Sequence, residues 1–129
     1  MERLFTYIIL LIIFSSCSES FKSVNPSDFN ERILHVKSID TAEDLIKLYY
    51  NYPADGGTSS IEITQKEKDD GFVEITLIHF GQQDDSQRAT KIVMTAKFTD
   101  GVWYVQKIKT NRKCYDGRGH TGWGTEWCN

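Results

Sequence analysis

The sequence predicts an α+β domain: one helix packed on a four-stranded antiparallel meander, followed by a glycine-rich loop lying between two cysteines. Three observations predict it. One stretch, residues 40–52, carries a helix start signal and helical spacing of apolar residues. Residues 61–108 fall into short runs rich in β-branched and aromatic side chains with apolar–polar alternation. Two Asp-Gly pairs, Asp70-Gly71 and Asp100-Gly101, punctuate those runs, and both central residues of a tight hairpin turn need positive φ.

Taken in order, Ile33, Leu34, Val36 and Ile39 fit either a short strand or a helical turn. Asp40-Thr41-Ala42-Glu43 predicts a helix start, with an N-cap oxygen at Asp40 and Glu43 three residues on to reach back. Leu45, Ile46, Leu48 and Tyr49 then cover one broad face. Pro53 and Asp55-Gly56-Gly57 end the helix. Ile61 and Ile63 alternate with Glu62 and Thr64 in the first strand. In the second, Phe72 to Phe80, Val73, Ile75 and Leu77 share a face. A polar loop, Gly81 to Ser86, leads to a third run in which Ile92, Met94, Ala96 and Phe98 share a face. Val102-Trp103-Tyr104-Val105 opens a fourth strand that continues through Ile108. Simple alternation there puts Lys107 and Lys109 on the same face as Trp103 and Val105. Three consecutive hairpins make a meander, and the preceding helix covers one side of it.

A chain of 129 residues has room for one such domain. Hydrophobic content of 40% and charged content of 26% are those of a globular protein rather than a disordered one. A net charge of −3 gives no global drive toward nucleic acid, which is excluded as a partner.

The first residues are set apart. Met1-Glu2-Arg3 precedes an apolar run from Leu4 to Phe14, broken only by Thr6. Crossing a bilayer takes about 20 apolar residues, so this run has the length of a signal-peptide core instead. Phe14-Ser15-Ser16-Cys17 follows and resembles the bacterial lipobox, with small residues before a cysteine. Phe14 stands where that motif usually has Leu. The resemblance implies that residues 1–16 are a lipoprotein signal peptide and that the Cys17 thiol is joined to diacylglycerol, with membrane lipid as partner. It also implies residence in the cell envelope. Ser18 rather than Asp after the cysteine resembles Gram-negative lipoproteins sorted to an outer membrane. Residues 17–30 then read as a lipidated cysteine and polar tether, and residues 31–129 as the domain.

Three cysteines leave an odd thiol in an exported chain. Lipidation accounts for Cys17 and leaves Cys114 and Cys128 to pair. Four glycines among residues 117–124 make ordering that tail expensive. A disulfide closing a loop of this size contributes about 3 kcal/mol and persists in an oxidising compartment. The completed fold expectation is an α+β domain with a disulfide-closed C-terminal loop. The pattern Cys114-x2-Gly117-Arg118-Gly119-His120-x2-Trp123, with Cys128 close behind, resembles the ending of a group of small exported bacterial proteins whose activity is unassigned.

The loop also holds the candidate chemistry. Gly117-x-Gly119-x-x-Gly122 satisfies a dinucleotide fingerprint literally, but too few residues follow to form the required helix. Cys114, His120 and Cys128 match no usual zinc site, and no motif asks for a metal or cofactor. Arg118 between glycines suits an anionic ligand, through bidentate bonds beside an anion-binding turn, or an internal lock onto Asp116 or Glu126. His120 is a loop-fixing hydrogen bonder, or a general base oriented by Glu126 or Asp116. His35 and His79 are isolated. Trp123 and Trp127 clamp the loop against the sheet or, if exposed, mark a recognition surface. Lys107, Lys109, Arg112, Lys113 and Arg118 form a basic stretch, either a solvated face or a dock for anionic headgroups or an envelope polymer. The expectation is a non-enzymatic binding or assembly module, with Arg118, His120 and Trp123 as binding candidates and an envelope protein or anionic ligand as partner. The alternative is a small envelope hydrolase or other enzyme using His120 with an acidic partner.

Overall fold

The computed structural model describes residues 18–51, 59–81 and 85–129. Cys17, the leader before it, the helix stop at Pro53 to Gly57 and part of the Gly81–Ser86 loop lie outside the described residues. The chain order is β1 (Lys22–Val24), α1 (Ser27–Ile33), α2 (Ala42–Tyr50), β2 (Ser60–Glu67), β3 (Phe72–Phe80), β4 (Gln87–Thr99) and β5 (Val102–Cys114). The five strands form one antiparallel sheet in the order β1-β5-β4-β3-β2. The α+β class and the meander of β2 to β5 are as expected; among the described residues, four strands and one helix become five strands and two α-helices. Both additions come from residues 22–33, mostly inside the stretch read as a tether.

In α1, Phe29 and Ile33 stand one helical turn apart and are both buried. In α2 the capping box is shifted one residue from the expected Asp40–Glu43. The Thr41 side chain accepts from the Asp44 backbone N–H, and the Asp44 carboxylate accepts from the Thr41 N–H. Leu45 and Ile46 are fully buried against the sheet. The core lies between the two helices and one sheet face, around Ile75, Leu77, Ile92, Met94, Ala96, Val105 and Ile108. Both Asp-Gly turns have the required left-handed pairs, Asp70 with Gly71 and Asp100 with Gly101.

The face assignment of β5 departs from simple alternation. Thr95 pairs with Lys107 but Ala96 pairs with Val105, which leaves Gln106 as a bulge. One extra residue inverts the side-chain phase. Trp103, Val105 and Ile108 therefore face the core, and Lys107 and Lys109 face the opposite, helix-free side. The expectation that these lysines share a face with Trp103 and Val105 is corrected by that bulge.

The outer edge of β5 is covered at intervals from Val105 to Arg112, which removes much of a template for edge-to-edge pairing. The Asn30 side chain of α1 both donates to the Val105 carbonyl and accepts from its N–H, at 2.8 and 2.9 Å. β1 pairs with residues 108–110. Gly124 then exchanges both backbone hydrogen bonds with Arg112, at 2.9 Å each.

Candidate functional site

The C-terminal loop grows directly from the end of β5. Cys114, 1% exposed, is joined to Cys128 with their Cα atoms 5.5 Å apart, as expected. The loop is a dense hydrogen-bonded knot. The Cys114 N–H donates to the His120 carbonyl, and the Tyr115 N–H donates to the Ser86 carbonyl, both at 2.9 Å. The Arg118 N–H donates to the Tyr115 carbonyl at 3.0 Å.

His120 sits at the centre of this knot. Its Nδ1 is 2.8 Å from the Gly122 carbonyl oxygen and its Nε2 is 3.0 Å from that of Glu126. Carbonyls only accept, so both contacts are satisfied at once by the doubly protonated ring. The Glu126 and then the Gly122 carbonyl hold the His120 pKa above the ordinary histidine value, against burial and the nearby Arg112 charge. Nε2 also lies 3.8 Å from Cys114 Sγ. What reaches His120 from Glu126 is the backbone carbonyl; the acid–base pairing with a Glu126 or Asp116 carboxylate does not form. A proton held between two carbonyls suits a fastener better than a general base, which must release its proton near neutrality.

Two glycines are required by this geometry. A Cβ on Gly124 would come within 3.0 Å of His120 Nδ1 and Cε1. A Cβ on Gly119, whose φ is +139°, would come within 3.0 Å of Cys114 Sγ.

Arg118 is also engaged within the protein, at the surface and not with the acids expected. Its guanidinium donates to the Asn129 carbonyl at 3.1 Å and to the Asp85 carboxylate at 3.3 Å. Asp85 precedes β4, so this contact ties the loop to the strand entry.

The tryptophans straddle the end of the sheet. Trp123 lies on the helix-free side, with Lys91 Nζ 4.1 Å and Lys113 Nζ 4.8 Å from its ring centroid. Arg112 points to the other side, and its guanidinium stacks on Trp127 at 3.6 Å. Trp127 is nevertheless 73% exposed. Arg112, near the end of β5, is the residue whose role the sequence does not announce. Burial lowers its pKa, and its Nε and Nη1 are sheltered without a hydrogen-bond partner among the described residues. Its membership of a basic run disguised it as one more surface cation.

The N-terminal segment meets the same region. Lys91, 9% exposed, donates to the Glu19 carboxylate at 2.6 Å. Asn111 Nδ2 donates to the Ser20 carbonyl at 3.1 Å and to Glu19 at 3.3 Å. The Lys91 hydrogen bond is the main reason the Glu19 pKa is lowered, opposed by its burial. Lys109 Nζ stands 4.4 Å from the Phe21 ring.

His79, unremarkable in the sequence, is buried at the end of β3, its Nδ1 2.9 Å from the Tyr50 hydroxyl of α2. A cleft of about 710 Å³ opens at the far end of the sheet, between the start of α2 and Phe98 and Trp103. Neither it nor the smaller cleft under Ile39 and Val102 is lined by Arg118, His120 or Trp123. Among the described residues no helix is long and apolar enough to cross a membrane, and no three His, Cys, Asp or Glu side chains cluster as a metal site. Comparison with known protein families, curated proteins and solved structures finds no match for this chain.

Proposed function

We propose that this protein is a cell-envelope lipoprotein, anchored through diacylglyceryl-Cys17, that acts by binding or assembly rather than catalysis. Its recognition surface is the C-terminal loop, and the partner is another envelope component. The observation that carries this reading is the division of labour in the loop. Arg118 and His120 are spent on the loop's own backbone and on Asp85, while Trp127 is held out into solvent on a stiff frame. A fixed, exposed aromatic on a disulfide-closed loop suits an interface anchor, because little side-chain freedom remains to be lost on binding. Binding centred on Trp127 refines the sequence expectation, which placed it on Arg118, His120 and Trp123.

The test is crosslinking in intact envelopes with full-length protein, comparing wild type with Trp127→Ala. The variant is used only with its melting temperature within a few degrees of wild type. A partner captured by wild type and lost with Trp127→Ala is the expected result. Equal capture by both would refute the loop as the recognition surface. In parallel, Cys17→Ser is expected to leave the membrane fraction, and its retention would refute the anchor.

A further inference from the structure

We infer that the helix-free face of the sheet, at its Lys109–Lys113–Trp123 end, rests on an anionic lipid surface, namely the membrane that holds Cys17. This rests on the anchor proposed above and adds an orientation to it. Charge supplies the first argument. β4 and β5 carry Arg88, Lys91, Lys97, Lys107, Lys109, Arg112 and Lys113, with no Asp or Glu in either strand. Pairing register and the Gln106 bulge put five of these, Lys91, Lys97, Lys107, Lys109 and Lys113, on one face. Lys91 is neutralised by Glu19, and the other four pair with no carboxylate among the described residues.

The second argument is the company these lysines keep. At this end Lys109 lies over Phe21 at 4.4 Å and Lys113 over Trp123 at 4.8 Å. Aromatic rings with ammonium groups above them match the chemistry of a bilayer's headgroup layer, where amphipathic rings settle and lysines reach phosphates. Ile78 and Phe80, half-buried on the same face, extend its apolar floor.

The third argument is the attachment of the chain. Glu19 and Ser20 are pinned to Lys91 and Asn111 on this same face. Consecutive Cα atoms are 3.8 Å apart, so the Cα of Cys17 lies no more than about 8 Å from that of Glu19. Acyl chains on Cys17 therefore enter the bilayer beside the lysine face, and a tether this short keeps face and headgroups at high effective concentration. Trp127, on the other side of the sheet end, is left pointing away from the lipid.

The experiment uses full-length, envelope-matured protein reconstituted in phosphatidylcholine vesicles with and without phosphatidylglycerol. Lipids brominated at the headgroup end of the acyl chain quench any indole resting there. Emission that is missing from Trp123→Phe is expected to be quenched on the phosphatidylglycerol vesicles and spared on pure phosphatidylcholine. Each neutralised lysine lowers the docked-to-undocked ratio about fivefold. Lys107→Gln/Lys109→Gln/Lys113→Gln is thus expected to lower it roughly a hundredfold and abolish quenching, while the matching Arg variant retains it. Equal quenching on both vesicle types, or in the Gln variant, would overturn the inference. So would absent quenching together with capture of a protein, rather than lipid, by a photocrosslinker at Lys109. Detergent phase partition and the mass of Cys17 on the same sample test the anchor separately. If Cys17 proves unacylated, docking is read by vesicle sedimentation, where binding must require both phosphatidylglycerol and the three lysines.

Discussion

Replacing Gly124 by Ala tests whether His120 is the fastener of the C-terminal loop. The new Cβ would stand 3.0 Å from Nδ1 and Cε1 and 3.3 Å from Cγ of the imidazole. The backbone cannot yield easily, because Gly124 exchanges two hydrogen bonds with Arg112. The ring must therefore give by a few tenths of an ångström, which weakens its bonds to the Gly122 and Glu126 carbonyls. Bonds from a charged donor contribute about 1.5 kcal/mol each at the low end suited to a half-exposed ring, so weakening both costs roughly 1–2 kcal/mol. In a domain of this size that lowers Tm by roughly 5 °C or more, read by thermal unfolding in circular dichroism. The decisive measurement is the double-mutant cycle. In a His120→Ala background the methyl group finds room, and Gly124→Ala is expected to cost under about 0.5 kcal/mol. Gly122→Ala, whose Cβ would meet nothing within 4 Å, serves as the control and is expected to be close to neutral. Additive losses from His120→Ala and Gly124→Ala would refute the reasoning.

Two further predictions concern the same loop. Because the folded-state pKa of His120 is raised, its contribution is complete below about pH 6.5 and is lost as pH rises through the folded value. The Tm gap between wild type and His120→Gln is thus expected to be widest near about pH 5 and to narrow toward about pH 9; a gap independent of pH would contradict this. Reducing Cys114–Cys128, which are 14 residues apart, is expected to remove about 3 kcal/mol and lower Tm by roughly 12 °C or more. An unchanged transition with both thiols shown reduced would exclude the disulfide as a source of stability.

How far the fold could be read from sequence depended on whether local pattern and tertiary context agreed. The Asp-Gly turns and the alternation of Phe72–Phe80 carry their geometry within a few residues, and the structure has them where expected. β1 is three residues at a sheet edge, too short for any periodicity, and it exists only because β5 offers an edge. α1 had a legible signal in Phe29 and Ile33 at helical spacing, which a serine-rich stretch obscured. The Gln106 bulge was illegible because nothing in Val105-Gln106-Lys107 announces an extra residue; it appears only once Asn30 and Ala96 fix the backbone on either side. In the loop, the disulfide followed from cysteine arithmetic and compartment. An internal lock on Arg118 is one of the two roles its sequence context suggests, but its partner, Asp85, lies 33 residues away and no local spacing points there.

The pairing of β1 with β5 also sets an order of assembly. Lys22 meets Thr110, and Asn30 meets Val105, 75 positions further along the chain. Contacts this distant in sequence form only after a large loop has been closed, which slows folding. During vectorial synthesis, the hairpins of β2 to β5 have neighbours to pair with as soon as they emerge. β1 and α1 come first and have nothing to dock on until β5 has followed. The segment nearest Cys17 is thus the earliest part of the domain to appear and among the last to fold. A chain truncated before Val105 would leave it waiting indefinitely.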